Sequence, residues 1–318
     1  MMEIRRSNFM NIPRLFVILD VAELSITDFI LSVDGTGYIL WLWGCVRFRI
    51  DSACPRVNIT YCIMKVRTIR MGTMIAIGGG ELNKSETLAI DQYIVQSAGK
   101  KEPKALFIPT ASYEAQGYIE AFQRVYGEQL GCQTDILYLL DGATTPAEMQ
   151  SKIMSSDLVY VGGGVTKMML SVWREHGVDQ ALKEAYEAGV VLSGLSAGAI
   201  CWFSEAYGSE MNTEDAQEQQ ERQCLQGLGL IPAAFCPHYN EEEYRSRFDQ
   251  WMLSGGEPSI GIGLDNHCAL VVRGTEFKVI RSAPHAGAYR LYSDDRGLHK
   301  QRLDQEQFAD IEELLRIG

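Results

Sequence analysis

The chain has 318 residues, 46% of them hydrophobic and 22% charged, a composition ordinary for a folded globular protein of one large domain or two smaller ones. A net charge of −12 at pH 7 offers no basic surface for nucleic acid or an anionic membrane. Eight cysteines, at 45, 54, 62, 132, 201, 224, 236 and 268, form no C-x-x-C pair, which argues against a zinc ribbon or a thioredoxin-type redox site and fits a reducing cytoplasm.

Residues 1–70 stand apart from the rest. They hold nine basic and six acidic residues, whereas the remainder carries −15. Apolar bursts (LFVIL at 15–19, YILWLWGCV at 38–46) follow no sustained helical or strand period. Both fall short of the roughly 20 apolar residues of a transmembrane helix. Asp20 interrupts the only apolar run near the basic start, which argues against a signal peptide. The expectation is an N-terminal extension, poorly ordered, with Met71 or Met74 as the initiator of the regular domain at 71–318.

From residue 74 the order is regular. MIAIGGG (74–80) is a short apolar strand ended by glycines, and a helix is predicted over 85–100 with Ser85 as N-cap and Gly99 as its stop. KALFIPT (104–110) is a strand closed by proline, 113–131 a helix, and TDILYLL (134–140) a strand. Thr145-Pro146 opens a further helix with proline at its first position. DLVYVGGG (157–164) is a strand running into glycines, 166–188 is helical, and VVLSGLS (190–196) returns to a strand. Near-continuous apolar strands alternating with helices mean βαβ units and a mostly parallel sheet covered on both faces. Past residue 257, SIGIGLD, HCALVVRG, EFKVIRS and GAYRLYS are short strands with short connections and predict antiparallel edge strands, and DQEQFADIEELLRIG predicts an amphipathic closing helix.

Ligands of such sheets bind at the carboxyl ends of the parallel strands. Three strands end there in Gly78-Gly79-Gly80, Gly162-Gly163-Gly164 and Ser196. Gly194-x-Ser196-x-Gly198 between strand and helix has the form of a nucleophile elbow, in which small neighbours let the serine project at a helix N-terminus. Tight packing alone would also explain such a turn. The N–H of Ala197 would supply one oxyanion donor and the backbone of Gly163–Gly164 another. A phosphate cradle is the competing reading, but no Walker lysine pattern or G-x-G-x-x-G accompanies the glycines.

A serine nucleophile needs a base. Of His176, His238, His267, His285 and His299, His238 follows an apolar strand in AAFCPHYNEEE and is expected at the same sheet edge as Ser196; His267 is its competitor. The polar stretch 204–223 offers Glu205, Glu210, Glu214 and Asp215 as the orienting acid, with solvated charge the ordinary fate of each. Arg245 and Arg247 could meet a substrate carboxylate, though the surface of a helix is their ordinary place. No metal or cofactor is called for.

At these residues the sequence resembles the dipeptidase E / cyanophycinase family of serine peptidases. The carrying segments are IGGGE (77–81), YVGGGVTKMML (160–170), GLSAGAICWF (194–203), GLGLIPAAFCPHYN (227–240) and GIGLDNHCALVV (261–272). The resemblance covers about residues 74–318. It implies a three-layer αβα sandwich like that of class I glutamine amidotransferases, with serine in place of their cysteine. It implies peptide hydrolysis through an acyl-enzyme on Ser196, with His238 as base and Gly163 and Gly164 in the oxyanion loop. Its acid lies about fifteen residues past the serine, which selects Glu210 ahead of Glu214 and Asp215. The chain departs from the family in having Val165-Thr166 where Asn-Thr is usual. The expected substrate is a small peptide, with no nucleic acid or membrane partner, and a homodimer is compatible with this reading. The alternatives are a catalytically silent ligand-binding relative and another serine hydrolase, an esterase or amidase. A class I amidotransferase is disfavoured by the serine itself.

Overall fold

A computed structural model describes residues 30–33, 38–42, 68–70, 72–142, 144–206, 225–255 and 258–316. The chain divides into two units, Met1–Met71 and Gly72–Gly318. In the first, strands β1 (Ile30–Val33), β2 (Tyr38–Leu42) and β3 (Thr68–Arg70) pair antiparallel in that order, with Ile30 opposite Leu42 and Tyr38 opposite Arg70.

In the second unit the short apolar runs become strands buried on both faces. They are β4 (Thr73–Ile77), β5 (Lys104–Ile108), β7 (Leu158–Val161) and β8 (Val191–Leu195), every residue of β7 and β8 being buried, whereas β6 (Gln133–Ile136), at the sheet edge, buries only Ile136. Continuous burial of Leu, Val, Ile and Tyr is what a parallel sheet between helical layers requires. The chain continues through β9 (Phe203–Ala206), β10 (Leu225–Gln226), β11 (Ile231–Cys236) and β12 (Ile260–Leu264), then β13 (Cys268–Arg273), β14 (Glu276–Arg281), β15 (Ala288–Asp294), β16 (Gly297–Arg302) and β17 (Ala309–Asp310). Among the described residues the larger sheet runs β17-β14-β13-β4-β8-β7-β5-β6, parallel from β4 to β6 and antiparallel from β13 to β17. The architecture is the expected αβα sandwich with antiparallel edge strands.

A second sheet, β10-β9-β11-β12-β15-β16, differs from the sequence reading. Cys268–Arg273 and Glu276–Arg281 do extend the main sheet, but Ile260–Leu264 runs parallel to β11 and pairs antiparallel with β15. An apolar run specifies a buried strand, not the strand that pairs with it. The strand that carries His238 therefore belongs to the second sheet, and the histidine reaches Ser196 from a different sheet edge.

Local differences have local causes. The helix begins at Leu88 after Thr87, while Ser85 sits in the left-handed region behind a 3₁₀ turn. The last element is a single helical turn, Glu312–Leu315, preceded by β17. The Thr145-Pro146 start is as expected: Thr145 and Glu148 form a reciprocal capping box around Pro146. One core cluster lies under the sheet, where Phe122 stacks between Phe107 and Tyr126 at 4.7 and 4.6 Å. Cys201 and Cys236 are free and buried. Among the described residues no helix is long and apolar enough to cross a membrane.

Candidate active site

Strand β8 delivers Ser196 at the mouth of the sheet in a cramped conformation, φ 52° and ψ −112°, directly before the helical turn Ala197–Ile200. Its N–H is held by the Ile77 carbonyl at 3.0 Å. Glycine is required on both sides. A Cβ on Gly194 would lie 2.0 Å from the Gly198 carbonyl oxygen, and one on Gly198 would lie 2.2 Å from that of Val161. A non-glycine residue at positive φ costs about 1–3 kcal/mol and persists only where the surroundings enforce it. Ala197 is first in its helical turn, where a backbone N–H has no intrahelical partner.

His238 also adopts positive φ, 51°, and its N–H donates to the Gly78 carbonyl at 3.0 Å. That bond ties the end of β11 to the first glycine loop and aims the imidazole at the elbow. Nε2 lies 2.8 Å from Ser196 Oγ. On the other side of the ring, Nδ1 lies 2.6 Å from Asn266 Oδ1 and 3.6 Å from Glu241 Oε1. The amide orientation follows from the network: Asn266 Nδ2 donates to Glu241 Oε1 at 3.0 Å, so its carbonyl oxygen faces the histidine. Nδ1–H then donates to Asn266, and Nε2 is left to accept the Ser196 hydroxyl proton.

Asn266 and Glu241 are the members of this cluster that the sequence reading missed. Two polar residues, Asp265 and Asn266, at the end of apolar β12 were the available signal. The room for Asn266 comes from Gly79, whose Cβ would fall 1.9 Å from Asn266 Oδ1 and 2.5 Å from His238 Nδ1. Glu210, Glu214 and Asp215 lie outside the described residues. Glu205 sits on β9, opposite Gln226 and Ala234. His267, the competing base, has Nδ1 3.4 Å from the Glu86 carbonyl oxygen. His176 meets the Val172 carbonyl and His299 meets Asp294.

The second glycine cluster borders the serine: a Cβ on Gly163 would stand 3.4 Å from Ser196 Cβ. The N–H of Gly163 donates to the Tyr118 hydroxyl at 3.3 Å, a long bond. Gly164, at φ 142°, packs so closely on Ala111 that a Cβ would lie 2.1 Å from its carbonyl oxygen. The Val165 N–H holds the same carbonyl at 2.7 Å. Among the described residues no group of three His, Cys, Asp or Glu side chains is arranged to hold a metal ion.

A nucleophile elbow, a histidine in register with it and flanking glycine loops belong to hydrolases of several folds. A family model decides among them: that of peptidase family S51 matches residues 74–280, more than half of the chain. The chain belongs to peptidase family S51. Its relatives include the Bacillus subtilis (strain 168) protein named uncharacterized peptidase YgaJ, 35% identical over 223 residues that cover 70% of this chain and 92% of that one. A peptidase from an acI-B1 actinobacterium shares the fold, with a TM-score of 0.59 and 22% identity over 76% of this chain and 97% of its own. A putative peptidase E of Listeria monocytogenes EGD-e does so with a TM-score of 0.50 and 23% identity, over 66% and 98% of the two chains. The S51 match spans every segment of the site, from the Gly78 loop to Asn266, and makes the protein a peptidase.

Proposed function

We propose that this S51 peptidase is of serine type and cleaves short peptides, of the dipeptide class, through an acyl-enzyme on Ser196. The observation that carries the reading is the 2.8 Å approach of His238 Nε2 to Ser196 Oγ on a strained elbow. His238 takes the hydroxyl proton as Oγ attacks the scissile carbonyl, then returns it to the leaving amine. The Ala197 N–H and the Gly163–Gly164 loop stabilise the oxyanion, with the Gly163 N–H turning from Tyr118 to the substrate. Asn266 fixes the tautomer and plane of His238, and Glu241 fixes Asn266. A neutral amide suffices to orient an imidazole, since cysteine peptidases of the papain type use one. Water attacks the acyl-enzyme by the same route, and the chemistry takes place in the cytoplasm.

A fluorophosphonate probe tests the nucleophile. Labelling of the wild-type chain that is lost in Ser196→Ala and His238→Ala is the expected result, followed by turnover of Asp-X dipeptides. A folded wild-type protein that takes no label and cleaves no dipeptide would leave the silent, ligand-binding reading.

A further inference from the structure

Arg245 and Arg247 follow His238 on one helix, Glu242–Leu253, yet their surroundings differ. Arg247 pairs with Glu243 at 2.9 Å, whereas Arg245 lines a cavity of about 360 Å³ that begins one residue beyond His238. Tyr239 and Tyr289, with ring centroids 5.2 Å apart, give the cavity apolar walls. Arg302 and Lys300 enter from β16, so three cationic side chains share the lining with one carboxylate, Asp265.

The cations are not equally committed. Lys300 is paired with Asp249, which also accepts the Tyr239 hydroxyl at 2.6 Å. Arg245 meets Glu242 through one terminal nitrogen. Arg302 uses only Nε, on an Asp304 that it shares with Arg281. Exposed pairs of this kind are individually weak, and each guanidinium has five N–H donors. Among the described residues, both arginines therefore keep unused donors at the cavity. Asp265 is 8% exposed; one oxygen accepts the Gly287 N–H at 2.7 Å and the other has no partner among the described residues. An anion alone would be attracted by the arginines and repelled by Asp265. A ligand carrying a carboxylate and a positive group satisfies both.

The cavity is joined to the dyad by hydrogen bonds of the backbone and side chains. Asn240, in its lining, accepts the Asn266 N–H at 2.8 Å, and Asn266 holds His238. We infer that the cavity is a second small-molecule site, which takes a free amino acid with its carboxylate between Arg245 and Arg302 and its ammonium on the Asp265 side, and whose occupancy is felt at His238 through Asn240 and Asn266. The choice of an amino acid rests on the peptidase reading, because peptide hydrolysis releases that class of product. The same carboxylate chemistry could come from the C-terminus of a peptide bound at Ser196, and the test separates the two.

The test is calorimetric titration of the full chain with L-leucine, L-leucinamide and N-acetyl-L-leucine. L-leucine binds wild type and Ser196→Ala alike, and each analogue, lacking one charge, binds at least tenfold more weakly. Arg245→Gln and Arg302→Gln each weaken L-leucine about tenfold, or ~1.4 kcal/mol. Binding persists after a fluorophosphonate has blocked Ser196. No binding of L-leucine, equal binding of all three compounds, or indifference to both arginine variants overturns the site. Binding lost when Ser196 is blocked assigns the cavity to the substrate's far end and overturns a separate site. Calorimetry needs no turnover, so a protein that binds L-leucine but takes no label keeps this site and loses only the serine-peptidase reading.

Discussion

Asn266 Oδ1 stands 2.6 Å from His238 Nδ1, and the amide nitrogen of the same side chain donates to Glu241 at 3.0 Å. The order is thus serine, histidine, amide, carboxylate, with the charge one step further from the imidazole than in a Ser-His-Asp triad. In the proposed mechanism Glu241, a half-exposed carboxylate at 3.6 Å, balances the positive charge that His238 takes up during attack.

Removing the amide should therefore cost more than removing the charge. Asn266→Ala frees the imidazole to rotate and is expected to lower kcat about 10²-fold, the low end of what positioned general-base catalysis supplies. Steady-state kinetics on a dipeptide, with circular dichroism to verify folding, checks it. An unchanged kcat would remove Asn266 from the site and return attention to residues 207–224.

Glu241→Gln keeps an oxygen for Asn266 Nδ2 while deleting the charge. The interaction is part-exposed and screened, so the expected loss in kcat is about fivefold, near 1 kcal/mol. Glu241→Ala also releases the amide and should fall further toward the Asn266→Ala value. Equal kcat in Glu241→Gln and wild type at low ionic strength would show that the carboxylate acts only as an acceptor.

Gly79→Ala tests the space that makes this arrangement fit. Gly79 is not in a positive-φ conformation, so alanine is tolerable to the backbone. The methyl group would nevertheless fall 1.9 Å from Asn266 Oδ1, and both polar side chains must move. A shift of about 1 Å at the reacting groups costs on the order of 10²-fold in rate. The expected outcome is a folded protein with near-wild-type melting behaviour and little fluorophosphonate labelling.

These residues also mark what could be read from the sequence. The elbow was legible because its pattern is local: Gly194 and Gly198 flank Ser196 within five residues, and the clash that excludes a larger side chain at Gly194 arises inside that turn, while the one at Gly198 is with Val161 of the neighbouring strand. His238 was legible as a polar residue at the end of an apolar strand. The second sheet was not, because β11 and β12 bury both faces and such strands do not name their neighbours. Asn266 was not legible for a related reason. It lies 28 residues beyond His238, and its approach depends on two main-chain bonds to the first glycine loop, from His238 to Gly78 and from His267 to Gly79. Those contacts join segments more than 150 positions apart, and no short-range pattern encodes them.

A last expectation concerns stability rather than catalysis. Asp91 is fully buried on the helix Leu88–Ser97, where both oxygens accept hydroxyl hydrogen bonds at 2.8 Å, from Thr87 and Tyr126. Burial pushes its carboxyl up to about 7, against those two bonds. An unfolded aspartate titrates near 3.9, so between about pH 4 and 7 the native state holds a proton that the unfolded state has released. Stability from this residue is thus full below pH 4 and falls as pH rises, by up to about 1.4 kcal/mol per pH unit, until it levels above 7. Asp91→Asn leaves hydrogen-bonding capacity for Thr87 and Tyr126 and removes the titration. Urea unfolding at pH 5, 6, 7 and 8 should show wild type losing stability relative to Asp91→Asn up to pH 7 and running parallel to it beyond. Parallel curves across the whole range would mean that Asp91 is ionised in the folded protein at every pH tested.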